Sequence, residues 1–201
     1  MEVQRIQQKM KEQKLDALIA TNHDTVFYLT KAYAIPARSF PTRLTAILIP
    51  ASGKAVMVAC EIQRPLAEKS SKIRNNLYYR EYIDSPVEMA VDVLKKWGLT
   101  RARIGLEKIT FSSMFYDAFK ALLPDVEFVG ADAITTGVRM VKTPEEIDLL
   151  ARSAMATDIA IRKAFLGAKA GVNEKKIHRD LSLCLLATQG CQPQIWFYAG
   201  G

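Results

Sequence analysis

An α/β fold with a mixed sheet flanked by helices is predicted for this chain, and three observations predict it. Apolar residues recur at helical spacing in segments that alternate with short, β-prone apolar runs. Two neighbouring runs, Leu44 to Ile49 and Ala55 to Ala59, are joined by P-A-S-G-K, a glycine-containing turn that makes a hairpin and puts an antiparallel pair into the sheet. Of the 201 residues 49% are hydrophobic, enough for a sizeable core.

Val3, Ile6 and Met10 mark an opening helix, and Leu15 to Ala20 reads as a buried strand. Asn22 caps a short helix carrying Val26, Phe27 and Leu29, and Pro36 and Pro41 then bracket an irregular loop. After the hairpin, Leu77 to Ile83 is aromatic and β-prone. Ser85, Pro86 and Glu88 supply an N-cap, a first-turn proline and a capping-box acid for a helix that runs to Trp97 and stops at Gly98. Arg103 to Glu107 is the next strand, Ser112 to Leu123 a helix with Met114, Phe115, Ala118, Phe119 and Leu122 inward, and Val126 to Val129 the last strand of the domain.

Thr143-Pro144-Glu145-Glu146 repeats the helix-start signal, and the best boundary falls at Met140 to Thr143, giving domains 1–140 and 141–201. Ile147, Leu150, Ala151, Ala154, Met155, Ile159, Arg162, Phe165 and Leu166 follow one face of a helix running until Gly171, roughly 40 Å at 1.5 Å per residue. Asn173 caps a second helix with Ile177, Leu181, Cys184 and Leu185 inward and Gly190 as its stop, and Ile195 to Tyr198 begins a strand.

Composition excludes several classes. The formal net charge is +7, but acids and bases alternate and no Lys/Arg stripe interleaves with aromatics, so nucleic acid is not an expected partner. No apolar run approaches the roughly 20 residues of a membrane span, and the polar, amphipathic start is no signal peptide. Neither membrane attachment nor secretion is expected, and the expected location is cytoplasmic. Cys60, Cys184 and Cys191 form an odd set without CxxC spacing, which argues against disulfides and a zinc site. The glycine-rich phosphate-binding motifs are absent, which weakens a nucleotide-binding reading.

Few residues stand out as candidates. Between Asp24 and Glu61 there is no acid, while Lys31, Arg38, Arg43 and Lys54 lie there. A guanidinium offers a carboxylate two parallel donors, so Arg38 and Arg43 are candidate substrate contacts, against the plainer reading of solvated surface. His23, near a strand end, is a third candidate, although T-N-H-D-T equally makes a capping turn. His178 reads as surface. Asp148 and Asp158 share one helix but face about 80° apart, so they make no metal pair.

The opening R-I-Q-Q-K-M-K-E-Q-K-L-D-A-L-I-A, the stretch V-F-Y-L-T and the boundary run R-M-V-K-T-P-E-E-I together resemble the creatinase/prolidase/Xaa-Pro aminopeptidase family. Lys31 stands where the family's N-I-x-Y-L-T-G stretch has glycine. The resemblance implies a creatinase-type N-terminal domain followed by the first helices of a pita-bread catalytic domain. It implies a metal-dependent hydrolase of a small peptide or amide, most plausibly Xaa-Pro, in which two divalent ions (Mn, Co or Zn) are held by carboxylates and a histidine expected beyond Gly201. No catalytic or metal-ligating residue is therefore expected within these residues, and the chain alone is expected to be inactive. A homo-oligomer, in first place a dimer, is also implied, with this domain closing over the substrate cleft. The alternative is a non-catalytic pita-bread-like interaction module of the kind found in a histone-chaperone complex, and the sequence following Gly201 discriminates the two.

Overall fold

In the computed structural model, which describes residues 2–32, 40 and 42–188, the chain divides into two compact units, Met1–Val141 and Lys142–Gly201. Tyr33, Pro36, Arg38, Pro41, Gly190, Cys191 and the expected strand at Ile195 to Tyr198 lie outside the described residues.

The first unit is built on a sheet of six strands: β1 (Ala17–Ala20), β2 (Ala46–Pro50), β3 (Val56–Cys60), β4 (Asn75–Tyr79), β5 (Arg103–Leu106) and β6 (Glu127–Gly130). Their order is β4-β3-β2-β1-β5-β6. The β1–β2 and β2–β3 pairs are antiparallel and the other three are parallel, so the sheet is mixed. Alternate residues face opposite sides: Ala17 and Ile19 enter one apolar cluster, Leu18 and Ala20 the other. Helices α4 (Pro86–Lys96) and α5 (Ser113–Leu122) cover the first face. Helices α1 (Glu2–Glu12), α2 (His23–Thr30), α3 (Arg64–Ser70) and α6 (Asp132–Met140) cover the second.

Local signals act as the sequence predicts. Asn22 Oδ1 accepts from Asp24 N (2.9 Å) and Thr25 N (3.3 Å) at the start of α2, and Ser85 Oγ accepts from Glu88 N (3.2 Å) at the start of α4. Three expectations need correction. Strand β4 ends at Tyr79 instead of reaching Ile83, because the Asp84 carboxylate folds back onto Arg80, taking its N–H (2.8 Å), Nε (2.9 Å) and Nη2 (2.8 Å) and closing a turn with Tyr82 at φ 64°. The buried line on α5 is Phe115, Phe119 and Leu123, at intervals of one helical turn, while Met114 is half exposed. Helices α3 and α6 were not anticipated. The α6 segment D-A-I-T-T-G-V-R-M carries β-branched residues and a glycine, poor helix formers, and owes its helix to burial of Ile134 and Val138.

Arg5 of α1 ties the end of this unit to its beginning. Its Nη1 donates to Tyr28 Oη (2.9 Å), and Nη2 donates to the carbonyls of Val138 (2.9 Å) and Val141 (2.9 Å).

In the second unit, α7 (Pro144–Gly167) starts at a complete capping box, with Thr143 Oγ1 accepting from Glu146 N and the Glu146 carboxylate accepting from Thr143 N. It ends at Gly167, short of Gly171, and Asn173 caps α8 (Glu174–Leu186). Ile177, Leu181 and Cys184 are half buried and Leu185 is buried, as expected. The face of α7 used for packing differs from expectation. Ala160 and Ala164 are its buried residues, because short side chains allow close approach of a neighbouring helix. The larger apolar residues Ile147, Leu150, Met155, Ile159, Phe165 and Leu166 are exposed, from 50% at Ile159 to 80% at Leu166. Among the described residues no helix is long and apolar enough to cross a membrane.

Candidate functional site

Strands β1 and β5 are parallel neighbours, yet the chain leaves them toward opposite faces, β1 into α2 and β5 into α5. The two connections part at the carboxyl ends of the strands and leave a crevice there, which is where open α/β sheets hold ligands. A cavity of about 410 Å³ occupies it. Residues 21–24 form one wall, residues 110–112 another, and Arg43, Leu44 and Thr45 at the foot of β2 a third.

His23 and Arg43, which the sequence singles out separately, both line this cavity. The first residue of α2, His23 has a largely buried side chain with Nδ1 3.5 Å from Asp24 Oδ1. Asp24 Oδ2 accepts from Arg139 Nη2 at 3.1 Å. Arg43 donates from Nε to Glu81 Oε1, and its guanidinium lies 4.3 Å from the centroid of the Phe40 ring. The hydrogen bond to Glu81 raises the Arg43 pKa above its ordinary value. Arg38 lies outside the described residues.

The acid-free stretch does not stay uncompensated in three dimensions. Glu81 arrives at Arg43 from the turn after β4, and Glu2 of α1 places Oε1 3.4 Å from Lys31 Nζ.

A residue the sequence reading passed over organises the cavity. Glu107 directly follows β5, is 2% exposed, and accepts from Thr21 N (2.7 Å) and Asn22 N (2.7 Å) at Oε2 and from Thr25 Oγ1 (2.6 Å) at Oε1. The available signal was an acid ending the apolar run R-I-G-L-E, where a buried charge must find donors.

These features define an α/β domain with a crevice at the point where its strand order reverses, between the parallel strands β1 and β5. The chain belongs to the creatinase/prolidase N-terminal domain family, whose model matches residues 2–141. Creatinase of Bacillus sp. (strain B-0618) is 25% identical over 174 residues, covering 86% of this chain and 41% of the relative. A putative dipeptidase of Bacillus subtilis (strain 168) is 23% identical over 175 residues, covering 87% and 47%. The chain thus spans less than half the length of these curated relatives. Among solved structures, the Xaa-Pro dipeptidase from Bacillus anthracis superposes with a TM-score of 0.75 at 19% identity over 91% of this chain and 47% of that one. A proline dipeptidase from Streptococcus pneumoniae TIGR4 superposes with a TM-score of 0.60 at 18% identity, covering 70% of this chain and 98% of the solved one. The coverage of 91% means that the Bacillus anthracis match extends past Val141 into the second unit.

Among the described residues no group of three or more His, Cys, Asp or Glu side chains could hold the divalent ions that the family resemblance implies. The Glu107 carboxylate already accepts three donors, Asp24 is tied to Arg139, and His23 Nδ1 faces Asp24, so the acids of the crevice are engaged internally.

Proposed function

We propose that this chain is the N-terminal part of a cytoplasmic, metal-dependent hydrolase acting on a small peptide or amide, with Xaa-Pro peptides as the assigned class. The observation that carries the reading, beyond family membership, is the meeting of His23 and Arg43 in one crevice at the carboxyl ends of the strands. In this reading Arg38, Arg43 and His23 contact the substrate, and the first unit supports a homodimer and closes over the catalytic cleft. The second unit opens a pita-bread domain whose further sequence holds two divalent ions, Mn, Co or Zn, that supply an activated water. By itself the present chain hydrolyses nothing.

The test is made in the longer polypeptide that includes the metal-binding half, assayed on Xaa-Pro peptides with added Mn²⁺. Arg38→Ala is expected to lower kcat/KM by roughly ten- to a hundredfold with little change in Tm, as loss of a bidentate carboxylate contact dictates. Arg43→Ala is expected to raise KM by about tenfold. Wild-type constants in both variants, or peptide turnover by residues 1–201 alone, would sink the reading.

A further inference from the structure

We infer that Glu107 is a positioning residue that sets the width of the crevice by holding two of its walls at once. Its carboxylate takes the N–H groups of Thr21 and Asn22 and the hydroxyl of Thr25. Its own carbonyl accepts from Thr110 N (3.1 Å) and Phe111 N (2.9 Å) in the facing wall. The walls lie on connections that leave the sheet toward opposite faces, and their contact partners are 82 to 86 residues from Glu107 on one side and three or four on the other. One buried side chain and its carbonyl therefore join segments that the sheet would otherwise let diverge.

A plain helix-capping role does not account for this arrangement. Helix α2 already has its cap in Asn22, whose Oδ1 takes Asp24 N and Thr25 N. The amides that Glu107 engages precede the helix, in the wall segment itself, and the residue directly after them is His23. Fixing Thr21 and Asn22 fixes the backbone from which the His23 ring projects, so Glu107 acts on the site through its neighbours.

Glutamine can reproduce these bonds without charge: its carbonyl oxygen accepts from both amides, and its NH₂ group donates to the Thr25 hydroxyl, which can rotate to accept. Alanine reproduces none. The inference depends on the crevice alone, so it stands or falls separately from the proposed hydrolysis.

The experiment uses the 201-residue chain and reads residue-resolved amide exchange together with the His23 ring resonances by NMR. In Glu107→Ala, exchange at Thr21 and Asn22 should quicken at least tenfold more than at Leu48 in the sheet centre, and the His23 signals should move. Glu107→Gln should restore both. Unchanged exchange at Thr21 and Asn22 in the alanine variant overturns the assignment, as does a uniform increase across the sheet, which would make Glu107 merely structural. Should Glu107→Ala fail to fold, Thr25→Val decides. It removes one donor and should quicken exchange at Asn22 and move the His23 signals with Leu48 unaffected; no local change there also overturns the inference.

Discussion

The ammonium of Lys31 lies 3.4 Å from the Glu2 carboxylate, while the Lys31 backbone holds the left-handed conformation (φ 59°) that closes α2. Its N–H completes the cap by donating to the carbonyl of Phe27, and its Nζ lies 4.4 Å from the centroid of the Tyr28 ring. A non-glycine residue in this conformation costs about 1 to 2 kcal/mol, and a partly exposed ion pair returns less than about 1 kcal/mol. Lys31→Gly, which introduces the residue that the family stretch has here, is therefore expected to stabilise the fold by about 0.5 to 1 kcal/mol. Urea denaturation measures it, and a lower midpoint would show that the side-chain contacts outweigh the backbone strain.

Asp84 should titrate as an acid-sensitive clasp. Hydrogen bonds from the Arg80 side chain and then from its backbone N–H hold the Asp84 carboxyl well below the usual carboxylate range, at about 2. A folded-state pKa below the unfolded one means that the clasp contributes fully above the unfolded value near 3.8 and is lost as pH falls through about 2. Carboxyl ¹³C shifts followed from pH 6 downward should place the Asp84 midpoint well below 3.8. An ordinary midpoint would show that the turn is open in solution.

Gly105 cannot carry a side chain at its place in β5. A β-carbon there would lie 2.7 Å from Ala131 Cβ and 2.9 Å from Leu15 Cδ1, and Ala131 is held in place by its N–H bond to Leu106 O at 2.7 Å. Gly105→Ala should cost about 1 to 3 kcal/mol through overpacking. A midpoint in urea within error of wild type would mean that α6 can move outward freely.

The two units should separate cleanly. Residues 1–141 contain both apolar clusters and the whole sheet, and the Streptococcus pneumoniae chain, matched over 98% of its length, spans little more than the same fold. Trimmed after Val141, the chain is expected to unfold in one transition and to lose the association that the exposed apolar residues of α7 drive. The full chain, with Phe165 at 75% and Leu166 at 80% exposure, is expected to associate. A monodisperse full-length monomer would contradict this.

What could be read from the sequence was set by range. Asn22, Ser85, Thr143 and Asn173 were legible because a cap bonds amides two or three residues away, so its signal is contained in its own segment. The mixed sheet was legible from apolar runs and one turn. Features decided by distant partners were not. Helix α6 forms because Ile134 and Val138 are buried against other elements, and α7 packs through Ala160 and Ala164 rather than its larger apolar residues. In the crevice, His23 and Arg43 were noticed singly for their chemistry. Glu107 was not, because its three donors lie 82 to 86 residues away.

Arg5 gives the first helix an authority over the far end of its own unit. Because one guanidinium grips the carbonyls of Val138 and Val141, the residue from which the polypeptide departs toward the second unit is moored to the fifth residue of the chain. Removing α1 would thus do more than uncover the apolar face beneath it. It would also cast off the last turn of α6, leaving the end of the first unit without the anchor that ties it to the unit's beginning.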